Sequence, residues 1–384
     1  MTTVEVSSNT NEKKRSLEHD DGQQLQNVAA ALFAVPQPAA KKAKAGVGKF
    51  PIPYEGKLPT LQAGAYTTAE LREKFEKFGF VVIENVLTAA ECDKRRDELF
   101  DAYTSLYNAL SADKAPLGLD PRQPSTLDNG TAPPYKGSGM VAVDGCAGLR
   151  TLNELRLDPR VGEVFAKYYN VGVDELAKSS DRFGMMMPNK ARTELEPHID
   201  ANILHAERTH AEDVIQGFVV LQASSQPDQG LVIYPNHADD INKWNDENRG
   251  EARDIDYYSI ADAQREKLGR GRVINAPRGS QVIWRSVVPH GNTSGAGVKT
   301  TVGRVVAYIS MYPYQRMSDD AKATLEQAFL NHTTLGHNLL RPTPQRVGAN
   351  RWGPKLQWRF AEEHLQRYAT SADLPPGLRP PQAN

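Results

Sequence analysis

The chain has 384 residues and a formal net charge of -1, so no overall field draws it toward nucleic acid or a membrane surface. Two cysteines, Cys92 and Cys146, exclude a disulfide framework and a thiolate zinc site, and point to a reducing compartment. No apolar run reaches the roughly 18 residues of a membrane span, and the polar N-terminus is unlike a signal peptide. The expectation is a soluble intracellular protein, cytoplasmic or nuclear.

Residues 1–50 are rich in Ser, Asn, Gln, Ala and Lys with almost no aromatics, and read as a disordered tail. Two basic clusters there, Lys13-Lys14-Arg15 and Lys41-Lys42-Ala43-Lys44, suit either a nuclear-import patch or a solvated arm. Order is expected from near Phe50. TTAELREKFEKFGF carries a Thr cap (Thr67 or Thr68) and Leu71, Phe75 and Phe78 at helical spacing. FVVIENVL reads as a strand, and TAAECDKRRDELFDAYTSLYNAL as a helix capped by Thr88. Loop residues dominate 111–145, and a helix through LRTLNELRLDPRVGEVFAKYYN must break at Pro159.

From Asp181 the pattern changes to short β-branched and aromatic runs: RFGMMMP, HIDANIL, QGFVVLQA, GLVIYP, RVINAP, SQVIWRSVVP and RVVAYISMYP. One helix, IADAQREKLGR, interrupts them. Many short strands with turn signals predict a sandwich or barrel over an alternating α/β sheet. The stretch Gly279–Pro313 reads as two strands, with His290 ending the first and Arg304 starting the second. Helices are expected again in SDDAKATLEQAFLNHTTL and PKLQWRFAEEHLQRYA, before a Pro-rich tail.

A metal site with so few cysteines must rest on His, Asp and Glu. His-x-Asp or His-x-Glu on a strand offers two ligands on one face, and a distant histidine completes a facial triad with open positions. The pair occurs five times: His19/Asp21, His198/Asp200, His205/Glu207, His210/Glu212 and His237/Asp239. His19 lies in the tail, His205 and His210 in a polar stretch, and His237 at a loop. His198 begins a segment that can be a strand, and four apolar runs separate it from His290, enough for the chain to cross and return. His198, Asp200 and His290 are therefore the candidate ligands. Arg304, 14 positions after His290, can face the same pocket and grip a carboxylate with two parallel hydrogen bonds. Taken alone it also reads as an exposed arginine at a strand end.

The set FGFVVIENVLTAAEC, HID, QGFVVLQ, GLVIYPNH, PHGNTSG and GRVVAYISMYP resembles the phytanoyl-CoA dioxygenase-like branch of the Fe(II)/2-oxoglutarate-dependent oxygenases, over roughly residues 65 to 315. The resemblance implies a double-stranded β-helix, a jelly-roll barrel, with flanking helices. It implies iron held by His198, Asp200 and His290, the distal carboxylate of 2-oxoglutarate on Arg304, and Phe218 near that cosubstrate. It further implies consumption of O2, release of succinate and CO2, and hydroxylation, since Asp200 occupies the position that halogenases leave to a halide. The motif loop GNTSGAGVKTTVG is longer than in many members, and YPNH stands where P-G-S-H is more usual.

GNTSGAGVKT is not a phosphate loop: Val298 separates Gly297 from Lys299, and a strand follows where a helix is required. Met185-Met186-Met187 reads as packing near the pocket. The expected organisation is a tail (1–50), an oxygenase domain (51–320), and a C-terminal helical extension with a Pro-rich end (321–384). A small-molecule substrate is expected, with neither nucleic acid nor membrane as partner; oligomeric state and substrate identity have no readable code. The same chemistry on a protein or nucleic acid, a metal-binding barrel without turnover, and a zinc hydrolase remain alternatives.

Overall fold

The computed structural model describes residues 51–127, 139–141, 143, 145–188, 194–202, 214–235, 256–295, 300–344, 358–375 and 378, all within one compact unit, Lys49–Asn384. The N-terminal tail with its basic clusters, and the four His pairs other than His198/Asp200, lie outside the described residues.

Sixteen strands are present among the described residues. In chain order they are β1 (Ile52–Pro53), β2 (Thr60–Gln62), β3 (Phe80–Glu84), β4 (Tyr107–Asn108), β5 (Leu176–Lys178), β6 (Phe183–Met185), β7 (Glu194–Ile199) and β8 (Ile215–Gln222). There follow β9 (Gly230–Ile233), β10 (Tyr258–Ser259), β11 (Arg272–Ile274), β12 (Gln281–Arg285), β13 (His290–Thr293), β14 (Val305–Tyr308), β15 (Met311–Pro313) and β16 (Trp358–Arg359). The helices are α1 (Thr68–Phe78), α2 (Ala89–Thr104), α3 (Arg150–Leu157), α4 (Pro159–Tyr169), α5 (Asp262–Leu268) and α6 (Asp319–Leu330). No helix among the described residues is long and apolar enough to cross a membrane.

Two six-stranded sheets form the body. One runs β1-β11-β9-β13-β7-β10 and the other β2-β3-β12-β8-β14-β6. The fold is therefore β-rich with flanking helices. Period-two alternation on β8 explains how the sheets are layered. Phe218 and Val220 join an apolar cluster with Val82, Val282, Trp284 and Tyr308 of their own sheet and Leu231, Ile233 and Ile274 of the other. Val219 and Leu221 point the opposite way, into a larger cluster with Leu71, Phe75, Leu99, Phe165 and Phe329 of the helices. Both faces of β8 are covered, which is why its run QGFVVLQ is apolar almost throughout. Each such side chain contributes about 1.5–3 kcal/mol by leaving water.

Local signals place the helices. Thr67 and Thr88 each accept from the backbone N–H of the glutamate three residues on, while Glu70 and Glu91 accept from the cap backbone. Pro159 does break the long helical pattern, and it does so as the first residue of α4 behind the Asp158 cap.

Several expectations need correcting. Gly279–Pro313 holds four short strands rather than two, because a turn at Ser286–Pro289 separates β12 from β13 and Pro289 has no N–H for a ladder. His290 therefore starts a strand of its own. His198 lies near the end of β7 and not at the start of a strand. The second helix stops at Thr104, short of the expected Leu110. In place of a C-terminal helix, the described part of PKLQWRFAEEHLQRYA forms β16 and a turn at Glu362–His364. β16 pairs with β4, and Trp358 and Phe360 bury in the helix-side core: tertiary pairing overrides the helical pattern.

Candidate metal centre

β13 lies between β9 and β7, with His290 directly opposite His198 in the antiparallel register. A close approach makes this possible. A Cβ on Gly291 would sit 2.3 Å from the Leu195 carbonyl oxygen, so only glycine lets β13 come this near β7. Gly291→Ala must push the strands apart, and we expect a loss of about 2 kcal/mol in stability together with weakened metal binding. Denaturant unfolding and metal titration of the variant check this; unchanged metal affinity would show that the approach is not what sets the pair.

Asp200 follows β7 by one residue, and its backbone N–H donates to Ser286 O at 3.2 Å. This bond ties the β7 end to the turn that precedes His290. One ligand atom from each of His198, Asp200 and His290 falls within 4.8 Å of the others. His198 Nε2 is 3.8 Å from Asp200 Oδ1, and His290 Nε2 is 3.3 Å from Asp200 Oδ2. The opposite edge of each ring is fixed by backbone: Nδ1 of His198 lies 2.9 Å from Glu196 O, and Nδ1 of His290 lies 3.0 Å from Val288 O. A carbonyl accepts only from N–H, so both rings carry a proton on Nδ1 and turn Nε2 toward the carboxylate. That is the arrangement a cation needs.

Burial and the charge of His290 push the His198 imidazole down to about 4, against the pull of Asp200. Burial alone would raise the Asp200 carboxyl, but the charges of His198, His290 and His337 hold it well below its usual range. The site is thus ready at neutral pH with an anionic carboxylate and an unprotonated His198. The folded-state pKa of His198 lies below its ordinary 6.5, so the unfolded chain binds more protons between those values. Its contribution is complete above pH 6.5 and fades as pH falls toward 4. The metal-free protein is expected to lose on the order of 5 °C in Tm across that window through this group. His198→Asn should flatten that slope; an identical slope in the variant would remove His198 as its source.

Arg304 immediately precedes β14, on the sheet facing His290. Its strand does not neighbour that of His290, yet both side chains reach the same interior. Arg304 Nη2 donates to Asn292 Oδ1 at 2.9 Å, and Asn292 is two residues from His290 on β13. The guanidinium is buried, lies 4.9 Å over the Phe218 ring, and makes no ion pair among the described residues. Its Nε and Nη1 have no hydrogen-bond partner there, and burial lowers its pKa. A desolvated cation with two open N–H positions is costly unless an anion takes them.

Sequence reasoning named Phe218 but missed the rest of the aromatic floor. Trp284 lies 5.4 Å from His290 and 5.6 Å from Phe218, and Phe218 lies 5.9 Å from Tyr308. Tyr257 stacks on His198 at 4.9 Å. Alternation in QGFVVLQ and SQVIWR could have placed Phe218 and Trp284 on one face; Tyr257 lies in a stretch with no such pattern. Met185 and Met186 are buried beside Arg304, whose carbonyl accepts from Met186 N.

No family model and no curated protein matches the chain. Among solved structures it is similar to a hypothetical protein from Escherichia coli (TM-score 0.53, 14% identity, covering 84% of this chain and 83% of that one). It is also similar to a candidate oxidoreductase from Salmonella typhimurium LT2 (TM-score 0.51, 12% identity, 81% and 85%). A looser likeness, at TM-score 0.42 and 14% identity over 64% and 83%, is to the epimerase SnoN, solved with Fe3+, alpha ketoglutarate and nogalamycin RO. The first two show a shared fold, and the third is too loose to carry an argument.

Proposed function

We propose that this chain is an Fe(II)- and 2-oxoglutarate-dependent dioxygenase resembling the phytanoyl-CoA dioxygenase-like enzymes. The two facing sheets are read as its double-stranded β-helix. The observation that carries the proposal is one interior holding both His198, Asp200 and His290 and a buried Arg304 whose Nε and Nη1 have no partner among the described residues. Two imidazoles and a carboxylate suit Fe(II), and they suit zinc as well. A zinc hydrolase leaves the open guanidinium without work, whereas a 2-oxo dicarboxylic acid uses it.

His198, Asp200 and His290 would hold the metal and leave coordination positions open. Arg304 would hold the far carboxylate of 2-oxoglutarate through Nε and Nη1, with Asn292 steadying Nη2 and Phe218 packing beneath. Trp284, Phe218 and Tyr308 keep water from the reacting carbon. Iron held there, with 2-oxoglutarate and O2, would supply the oxidising power to insert one oxygen atom into a substrate C–H bond, the other going to succinate with release of CO2. We further propose that the substrate is a small molecule.

The test is succinate formation from 2-oxoglutarate by the full chain with Fe(II), with and without candidate substrates. Iron-dependent succinate is expected. Stoichiometric tight zinc with no 2-oxoglutarate turnover would move the protein to the hydrolase class.

A further inference from the structure

A second polar cluster borders the same interior and is absent from the roles above. Asp181, in the stretch SSDRFG before β6, has a fully buried carboxylate. His337, in the loop after α6, turns Nδ1 onto Asp181 Oδ2 in a short contact. Arg182 meets the other oxygen, its backbone N–H donating to Asp181 Oδ1 at 2.8 Å and its Nε at 3.3 Å. The backbone beneath is anchored too: buried Arg156 donates through Nη2 to Asp181 O at 2.6 Å.

The pair is not required simply to dock the C-terminal loop. Ser180 Oγ donates to Thr333 O at 2.8 Å, and Leu335 N to Ser180 O at 2.7 Å. These bonds already fasten that segment to the strand side of the fold. What the carboxylate adds is orientation of one imidazole. With Nδ1 engaged, Nε2 is the one polar ring atom left, and it has no hydrogen-bond partner among the described residues. The side chain is not fully buried, keeping 16% of its exposure.

Its place gives the edge a purpose. The His337 ring lies 5.4 Å from Tyr308, the end of the Trp284–Phe218–Tyr308 floor that begins at His290. The charge of His337 acts on both Asp200 and His198. Burial lowers its pKa, but the charge and hydrogen bond of Asp181 outweigh that and raise it above the ordinary value.

We propose that the Asp181–His337 pair is a substrate anchor in which His337 Nε2–H donates to a carboxylate group on the molecule to be oxidised. This rests on the oxygenase reading for the identity of the reaction, but not for the binding itself. A buried carboxylate holding an imidazole by one nitrogen favours the protonated ring, and in that form the other nitrogen is a fixed, charge-assisted donor. One such donor matches a singly charged carboxylate. A phosphate, with three strong acceptor oxygens, would call for several, and Arg182 is already spent on Asp181 and on Leu335 O. The aromatic floor between His337 and the metal site favours an apolar or aryl body behind that carboxylate.

The experiment titrates the full chain with phenylacetate and with phenylacetamide, following the His337 ring resonance, which is identified by its loss in His337→Gln. Phenylacetate is expected to shift that resonance and to bind at least about tenfold more tightly than the amide. His337→Gln alone leaves Asp181 facing no cation on that side and can unfold the chain. The double variant Asp181→Asn/His337→Gln keeps the two side chains neutral and able to hydrogen-bond, and it should bind acid and amide alike. Equal binding by the unaltered protein, an acid preference that survives in the double variant, or no shift with either compound overturns the proposal. So does a His337 shift produced by 2-oxoglutarate alone, which would make the pair a cosubstrate contact. Iron-dependent succinate formation, measured in parallel, tests the oxygenase reading separately.

Discussion

Arg304→Ala leaves the metal in place and weakens 2-oxoglutarate binding by at least about 30-fold. The size follows from desolvation. The guanidinium is buried, stands 4.9 Å over Phe218, and has Nε and Nη1 without acceptors, so the protein already bears the cost of the buried charge. A carboxylate that fills both positions recovers it, and alanine removes both the cost and the gain for the ligand. Arg304→Lys is expected to restore only part of the affinity, since an ammonium cannot offer the planar pair of donors. Calorimetric titration of metal-loaded protein without oxygen reads both variants. Unchanged affinity in the alanine variant would remove Arg304 as the cosubstrate anchor and reopen the zinc reading.

His198→Ala removes a ligand instead of a cosubstrate contact, and its effect should fall on the metal first. Loss of an outer partner of a ligand commonly costs 10- to 100-fold in metal affinity, so loss of the ligand itself is expected to cost about 100-fold or more. Succinate formation should vanish with it. His290→Ala should match, because both rings present Nε2 to the same carboxylate from facing positions on β7 and β13. The two variants therefore separate binding from cosubstrate capture: His198→Ala loses metal, and Arg304→Ala keeps it. Metal content by elemental analysis, beside a folded far-ultraviolet spectrum, decides the matter. Full metal occupancy in His198→Ala would mean that another donor set holds the ion.

Much of this was legible in the residues because the signals are local. T-x-x-E marks both capped helices at Thr67 and Thr88, Pro159 marks a helix start, and the near-continuous apolar run in QGFVVLQ marks a strand covered on both faces. His198 was separable from its look-alikes by context, and the fold does bring it to His290 and Asp200. Less legible were the ends of short strands. Pro289 is a local mark of the split in SQVIWRSVVPHGNT, but nothing local says that β13 and β14 belong to different sheets. Strand partners are chosen by burial across the whole domain, and two to five residues hold too little pattern to announce a partner. PKLQWRFAEEHLQRYA fails for the same reason, since Trp358 and Phe360 are claimed by a distant core.

The sequence by itself determined the donor types: few cysteines, a His-x-Asp pair in a strand context, a distant histidine and an arginine in apolar surroundings. Those are properties of side-chain chemistry and near neighbours, which the order of residues carries directly. Only the tertiary structure decided that the arginine stands on the facing sheet with two N–H groups open, and that Gly291 lets the two histidines meet. It alone joined Asp181 to His337, which are 156 residues apart. Such pairings depend on which surfaces close against each other in the fold, and neither LGHNLL nor SSDRFG contains any trace of the other.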